Sequence, residues 1–190
     1  MSKHPKSKNL GKILPKNTLW DEVAFACIGS DRSTGDSLGP LVGSELKSLG
    51  YEVYGTLEEP LHAMNMVERL KDLPKDKILI AIDASLGNSN SIGQVRVDKG
   101  PMKPGAGVGK DLPPVGDYNI VGIVNVSGFM EYFVLQNTRL SLVYQLKNEI
   151  VDIIKSTLPI INTLGDSMPR PNLSAQVHRW INKAIKGEVV

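Results

Sequence analysis

An α/β sandwich with a largely parallel sheet is what this sequence predicts, and three features predict it. Short, almost wholly apolar runs such as "EVAFACIG" (22–29), "KILIAID" (77–83) and "IVGIVNVSG" (120–128) read as strands covered on both faces. Segments with helical spacing lie between and after them. The order is therefore strand, helix, strand, helix, which packs most simply as helices over a parallel sheet.

The elements follow in turn. After the first strand, "SLGPLVGSELKSLG" (37–50) sets Leu38, Leu41, Val42, Leu46 and Leu49 on one helical stripe, and Gly50 stops it. "YEVYGTL" (51–57) alternates like a strand, and "AMNMVERLKDL" (63–73) reads as a short helix ended before Pro74. "KILIAID" is the strongest strand and closes on an acid. "GQVRVD" (93–98) alternates with period two, as an edge strand or hairpin arm does. Residues 100–119 are rich in glycine and proline and read as a long loop, a length often put to functional use. Residues 129–158 carry Phe129, Phe133, Leu140, Val143, Leu146, Ile150 and Ile153 at helical spacing, as one helix broken near Asn137 or as two. Beyond "MPRP", residues Leu173, Val177, Trp180, Ile181 and Ala184 share one face of a short amphipathic helix. That helix packs on the body or on a second copy, which would make a homo-oligomer. The organisation expected is a basic segment 1–18, an α/β domain 19–165 and a C-terminal segment 166–190.

Composition narrows the function classes. The net charge of +2 is uneven: residues 1–16 hold five lysines and no acid, residues 170–190 hold four bases and one acid, and the stretch between is net −6. A nucleic-acid-binding body carries its positive charge on the fold, so no nucleic-acid partner is expected and the ends read as solvated. No apolar run reaches membrane-spanning length, and the N-terminus has no apolar signal core, so a cytoplasmic protein without membrane contact is expected. Cys27 is the only cysteine, which excludes an intrachain disulfide and a cysteine-rich zinc site.

In open α/β sheets the ligand crevice lies beyond the C-terminal strand ends. Asp36 follows the first strand, Asp83 ends the third, and Asn125 and Ser127 end a later one, so all four are candidates for one crevice. Two carboxylates brought close raise one another's pKa and leave one acid and one base to activate water. Asp36 also suits a helix N-cap, just ahead of "SLGPL". Asp83, closing an apolar run, is costly to bury unless it faces a crevice or a partner. "GAGVGK" (105–110) fails as a P-loop at Pro104 and Asp111, and no dinucleotide fingerprint follows the first strand. Cys27 reads as a buried small residue, His62 as a surface or capping residue, and Glu58 and Glu59 as solvated loop acids. No histidine is placed to activate Ser37, Ser85 or Ser127.

"CIGSDRSTGDSLGP" (27–40) and "IAIDASLG" (80–87), with "KPGAGVGKDLPPVG" and "GIVNVSGFMEYFVLQNTRLSLV", resemble the YyaC-type sporulation proteins over roughly residues 22–145. More distantly the sequence is similar to the spore germination protease and the hydrogenase maturation proteases. The resemblance implies a three-layer α/β/α sandwich on a mixed, largely parallel sheet. It implies an aspartic-type endopeptidase of the germination-protease kind, in the cytoplasm of a spore-forming bacterium or its developing spore. Protein or peptide substrates, small acid-soluble spore proteins among them, would be its partners. Asp36 in "GDSLGP" and Asp83 in "AIDA" match the catalytic aspartates; Ser30, Asp31, Asn125 and Ser127 would contact substrate. No cofactor is expected, though a divalent metal at Asp36 and Asp83 would make a metal-dependent hydrolase. The sequence departs from its relatives at Ser30, where they carry asparagine, and offers no counterpart to a nickel-contacting histidine. Both departures suit a binding or regulatory protein of sporulation that cleaves nothing.

Overall fold

The computed structural model describes residues 9–104 and 112–160. The expected C-terminal helix with His178, the "GAGVGK" segment and the first eight residues lie outside them.

Five strands form one sheet: β1 (Val23–Cys27), β2 (Glu52–Tyr54), β3 (Ile78–Gly87), β4 (Val95–Lys99) and β5 (Tyr118–Val126). Their order across the sheet is β2-β1-β3-β5-β4. β1 is parallel to β2 and β3, and β3 to β5, while β4 runs antiparallel on the edge, so the sheet is mixed and mostly parallel as expected. β1 is buried along its whole length, which explains its unbroken apolar sequence. β4 alternates buried and exposed, the signature of an edge strand covered on one face.

The helices are α1 (Leu10–Ile13), α2 (Leu38–Leu49), α3 (Met66–Arg69), α4 (Glu131–Gln136) and α5 (Leu140–Thr157). The main core packs α1, α2 and α5 against Phe25, Cys27, Ile80, Ile82, Ile120 and Val124 on one sheet face. The other face is lightly covered. There Met66 of α3, with Leu61, Leu73, Leu112 and Val115, packs on Ala26, Ile28 and Ala81. The result is a lopsided three-layer α/β/α sandwich.

Four details differ from the sequence reading. The N-terminal segment is not wholly solvated, because Leu10 and Leu14 are buried in the main core. β2 stops at Tyr54, since Gly55 adopts φ +99° and a Cβ there would fall 1.9 Å from the Cys27 carbonyl oxygen. β5 begins at Tyr118, two residues inside the expected loop, whose arms also pair at Met102 and Val115. β3 continues to Gly87, so Asp83 lies within the strand rather than at its end. The break near Asn137 is real and separates α4 from α5. No described helix is long and apolar enough to cross a membrane.

Candidate active site

Asp36 is placed by the turn that leaves β1. Gly29 has φ +137°, and a Cβ there would lie 2.0 Å from the Asp36 carbonyl oxygen, so the chain can fold back only through glycine. The Ser30 N–H donates to that same carbonyl (3.1 Å), and the Ser37 N–H to the Ser33 carbonyl (3.0 Å), closing the turn on itself. A single 3₁₀ turn, Gly35–Ser37, then leads into α2. Gly39 brings that helix onto the end of β1, because a side chain there would meet the Ile28 carbonyl at 2.0 Å. Ser37, not Asp36, occupies the N-cap, and its side chain makes no capping bond. The capping role expected for Asp36 is therefore not the one it has.

Asp83 is placed by a mismatch in strand length. β1 pairs with β3 only from Val23–Ile78 to Cys27–Ile82, while β3 stays paired with β5 as far as Gly87. Asp83 is the first residue of β3 beyond its neighbour β1. It is half-buried there, and its Oδ1 accepts the Ala84 N–H (2.7 Å).

Both aspartates line one cavity of about 290 Å³ at the C-terminal end of the parallel strands. Gly29, His62, Ser85, Glu131 and Lys103 are also in its wall, with apolar Met66, Leu86 and Leu135. A second cavity of about 370 Å³ lies at the opposite end, between residues 14–20 and the last turn of α5, and among the described residues Lys16 is the only ionisable one in its lining.

Burial sets the electrostatics. The Asp36 carboxyl is raised above its ordinary range by desolvation, but the Ser30 N–H and the His62 imidazole pull it back down. The Asp83 carboxyl is pushed well above that range, first by desolvation and then by Asp36, and only the Ala84 N–H opposes this. The two groups titrate as a pair, with the proton favouring Asp83.

The other sequence candidates are elsewhere. Ser30 shapes the Asp36 turn, its Oγ accepting the Arg32 N–H (3.3 Å), and Asp31 is exposed; neither is in the cavity wall. Asn125 is engaged in the fold: its Nδ2 donates to the Val134 carbonyl (3.3 Å) and Thr138 Oγ1 (3.2 Å), and its Oδ1 accepts the Val126 N–H (2.8 Å). Ser127 bonds back to the Gly87 carbonyl through its N–H (2.7 Å). Asn125 is the penultimate residue of β5 and Ser127 follows its end, yet neither lines the cavity; the register shift opposite Ser85 and Leu86 leaves Val124 of β5 as the extra residue just before Asn125. Glu58 and Glu59 are exposed, as expected. Cys27 is fully buried and burial pushes its thiol up, which suits a packing role.

His62 was undervalued by the sequence reading. Its Nδ1 does accept the Met64 N–H (3.2 Å) in a local turn, but the ring also faces Asp36 in the cavity. The signal was its position after β2, on the loop side of the sheet where a crevice is expected. Glu131 and Lys103 had no such signal. Among the described residues no three histidine, cysteine or acidic side chains are grouped as a metal ligand set. His62 does not complete such a set with Asp36 and Asp83, so no chemical step is assigned to a metal.

A family described as "Protein of unknown function (DUF1256)" matches residues 2–153. The chain belongs to that family. DUF1256 takes in most of the described fold, including both aspartates. "Uncharacterized protein YyaC" of Bacillus subtilis (strain 168) is 55% identical over 141 residues, 71% of this chain and 69% of that one. Among solved structures, the [NiFe] hydrogenase maturation protease HybD from Thermococcus kodakarensis is 14% identical. It matches with a TM-score of 0.47 over 70% of this chain and 97% of its own. The [NiFe] hydrogenase maturation protease HycI from Thermococcus kodakarensis KOD1 is 17% identical, with a TM-score of 0.46 over 72% and 91%.

Proposed function

We propose that this DUF1256 protein is a peptide hydrolase in which Asp36 and Asp83 act as an acid–base pair on one water molecule. The observation that carries the reading is the unequal environment of two carboxylates in one cavity: burial and the Asp36 charge favour the protonated Asp83, while the Ser30 N–H and His62 favour the ionised Asp36. Asp36, ionised, takes a proton from water as its oxygen adds to the peptide carbonyl carbon. Asp83 gives its proton to the carbonyl oxygen. Asp36 then passes its proton to the amide nitrogen as the C–N bond breaks, while Asp83 recovers a proton from the tetrahedral intermediate. Both groups end as they began. His62 assists by favouring the ionised form of Asp36.

The resemblance around "GDSLGP" and "AIDA" makes small acid-soluble spore proteins the first substrates to try. An intact-mass time course would follow such a protein with wild type, Asp36→Asn and Asp83→Asn, each with and without chelator. The reading expects discrete fragments with wild type alone, unchanged by chelator. Fragments lost on chelation would replace it with a metal-dependent hydrolase. An intact substrate that stays bound in every lane would replace it with a binding protein of sporulation.

A further inference from the structure

The cavity opens onto the edge of β3 rather than onto a sheet face, which is why consecutive residues Asp83, Ala84, Ser85 and Leu86 all line it. Backbone direction along β3 follows from three bonds. Leu79 and Gly87 turn their carbonyls towards the β5 side, to the Asp117 and Ser127 N–H groups, whereas Ile82 turns its carbonyl to Ile28 of the β1 side. Alternation then points the N–H and C=O of Ala84 and Leu86 into the space that β1 has left. The Ala84 N–H is taken by Asp83 and the Leu86 carbonyl by the Ser85 hydroxyl (3.1 Å). Among the described residues, no turn, loop or cap bond engages the Ala84 carbonyl or the Leu86 N–H, and both point away from β5. An acceptor and a donor spaced in this way match the backbone of one further strand.

Within two residues of the lining residues Ala63, Met66 and Glu131, both sides of the cavity carry exposed apolar side chains. On the α3 side Met64 is 80% and Val67 62% exposed; on the α4 side Phe129 is 90% and Phe133 51% exposed. These banks belong to opposite sheet faces, since Met66 of α3 packs in one core and Leu135 of α4 in the other. Side chains of a strand added beside β3 would point alternately to one bank and the other.

We propose that the vacated edge of β3 binds an extended polypeptide as an added strand. The substrate class is then an unfolded or locally unfolded protein segment, recognised through its backbone, with large apolar side chains beside the bound bond. The cleavage part of this rests on the two-aspartate reading, and the binding part does not.

The test uses full-length Asp36→Asn protein, reduced and S-alkylated lysozyme as an unfolded probe, and folded lysozyme as control. Amide exchange at Leu86 is followed by NMR. The unfolded probe should slow that exchange by about tenfold or more, and the folded control should leave it unchanged. Val67→Asp should weaken probe binding by about tenfold without changing Leu86 exchange in the free protein. A Leu86 amide already protected before the probe is added, or unaffected at probe concentrations where wild type is fully active, overturns the proposal. Wild-type cleavage without Leu86 protection removes the edge and keeps the aspartates. Protection at Leu86 with no wild-type cleavage keeps the edge and removes the peptidase.

Discussion

Burial of Asp83, and after it the charge of Asp36 in the wall of the same cavity, both raise the Asp83 pKa. Asparagine at Asp83 removes a carboxyl whose ionised form the fold disfavours. Cleavage by Asp83→Asn should fall by about 10²–10⁴-fold, the usual contribution of a general acid, in a fragment-release assay. The same variant should be more thermally stable than wild type near neutral pH. The sign follows from linkage. A carboxyl whose folded pKa exceeds its ordinary value of 3.8 favours the fold at low pH, and that contribution is lost as pH rises from about 4 through the raised value. A wild-type melting temperature that stays flat over that window, with no gain in Asp83→Asn, would contradict the burial argument.

Activity should trace a bell against pH. The acid limb reports ionisation of the pair's first proton, mostly at Asp36, and the alkaline limb reports loss of the second from Asp83, above the ordinary carboxylate range. His62 holds Asp36 down, so His62→Gln should move the acid limb to higher pH and leave the alkaline limb nearly in place. Profiles of kcat/KM for the two proteins, measured side by side, check this.

Gly29 and Asp36 form a single device. An added methyl at Gly29 meets the Asp36 carbonyl at 2.0 Å, in a backbone conformation that alanine resists. Gly29→Ala should cost about 1–3 kcal/mol in denaturant unfolding, the range for residues forced into such conformations. It should also depress activity more than an equally destabilising change in α1, because it displaces Asp36.

Asn125 separates two roles that were merged in the sequence. As a substrate contact it would affect activity and leave stability alone. As observed, it ties β5 to the end of α4 through Val134 and Thr138. Asn125→Ala should therefore lower stability by about 1–2 kcal/mol, the cost of unpairing half-buried polar groups. Chemical denaturation reads this directly.

Much of the fold was legible because its signals are local and strong. β1 is buried along its whole length and β3 and β5 in their middles, so each carries a short apolar run, and Gly50 ends α2 with the left-handed cap its sequence position suggests. Asp36 and Asp83 were legible because parallel strands aim their following residues at one crevice. The extent of β3 was not, since "ASLG" has no apolar run and owes its strand form to pairing with β5 alone. Asn125 and Ser127 misled because closeness to a strand end does not reveal an extra residue within that strand, here Val124. His62 was missed because a turn-forming role explained it locally, and only the tertiary structure sets its ring against Asp36.

The account turns on Asp36 and Asp83 behaving as one acid–base pair. The most direct measurement is a carboxyl ¹³C NMR titration of Asp83 in wild type and in Asp36→Asn. The account predicts a midpoint above the ordinary carboxylate range in wild type and a lower midpoint once the Asp36 charge is gone. An Asp83 that titrates in the ordinary range, or does not respond to Asp36→Asn, would contradict it.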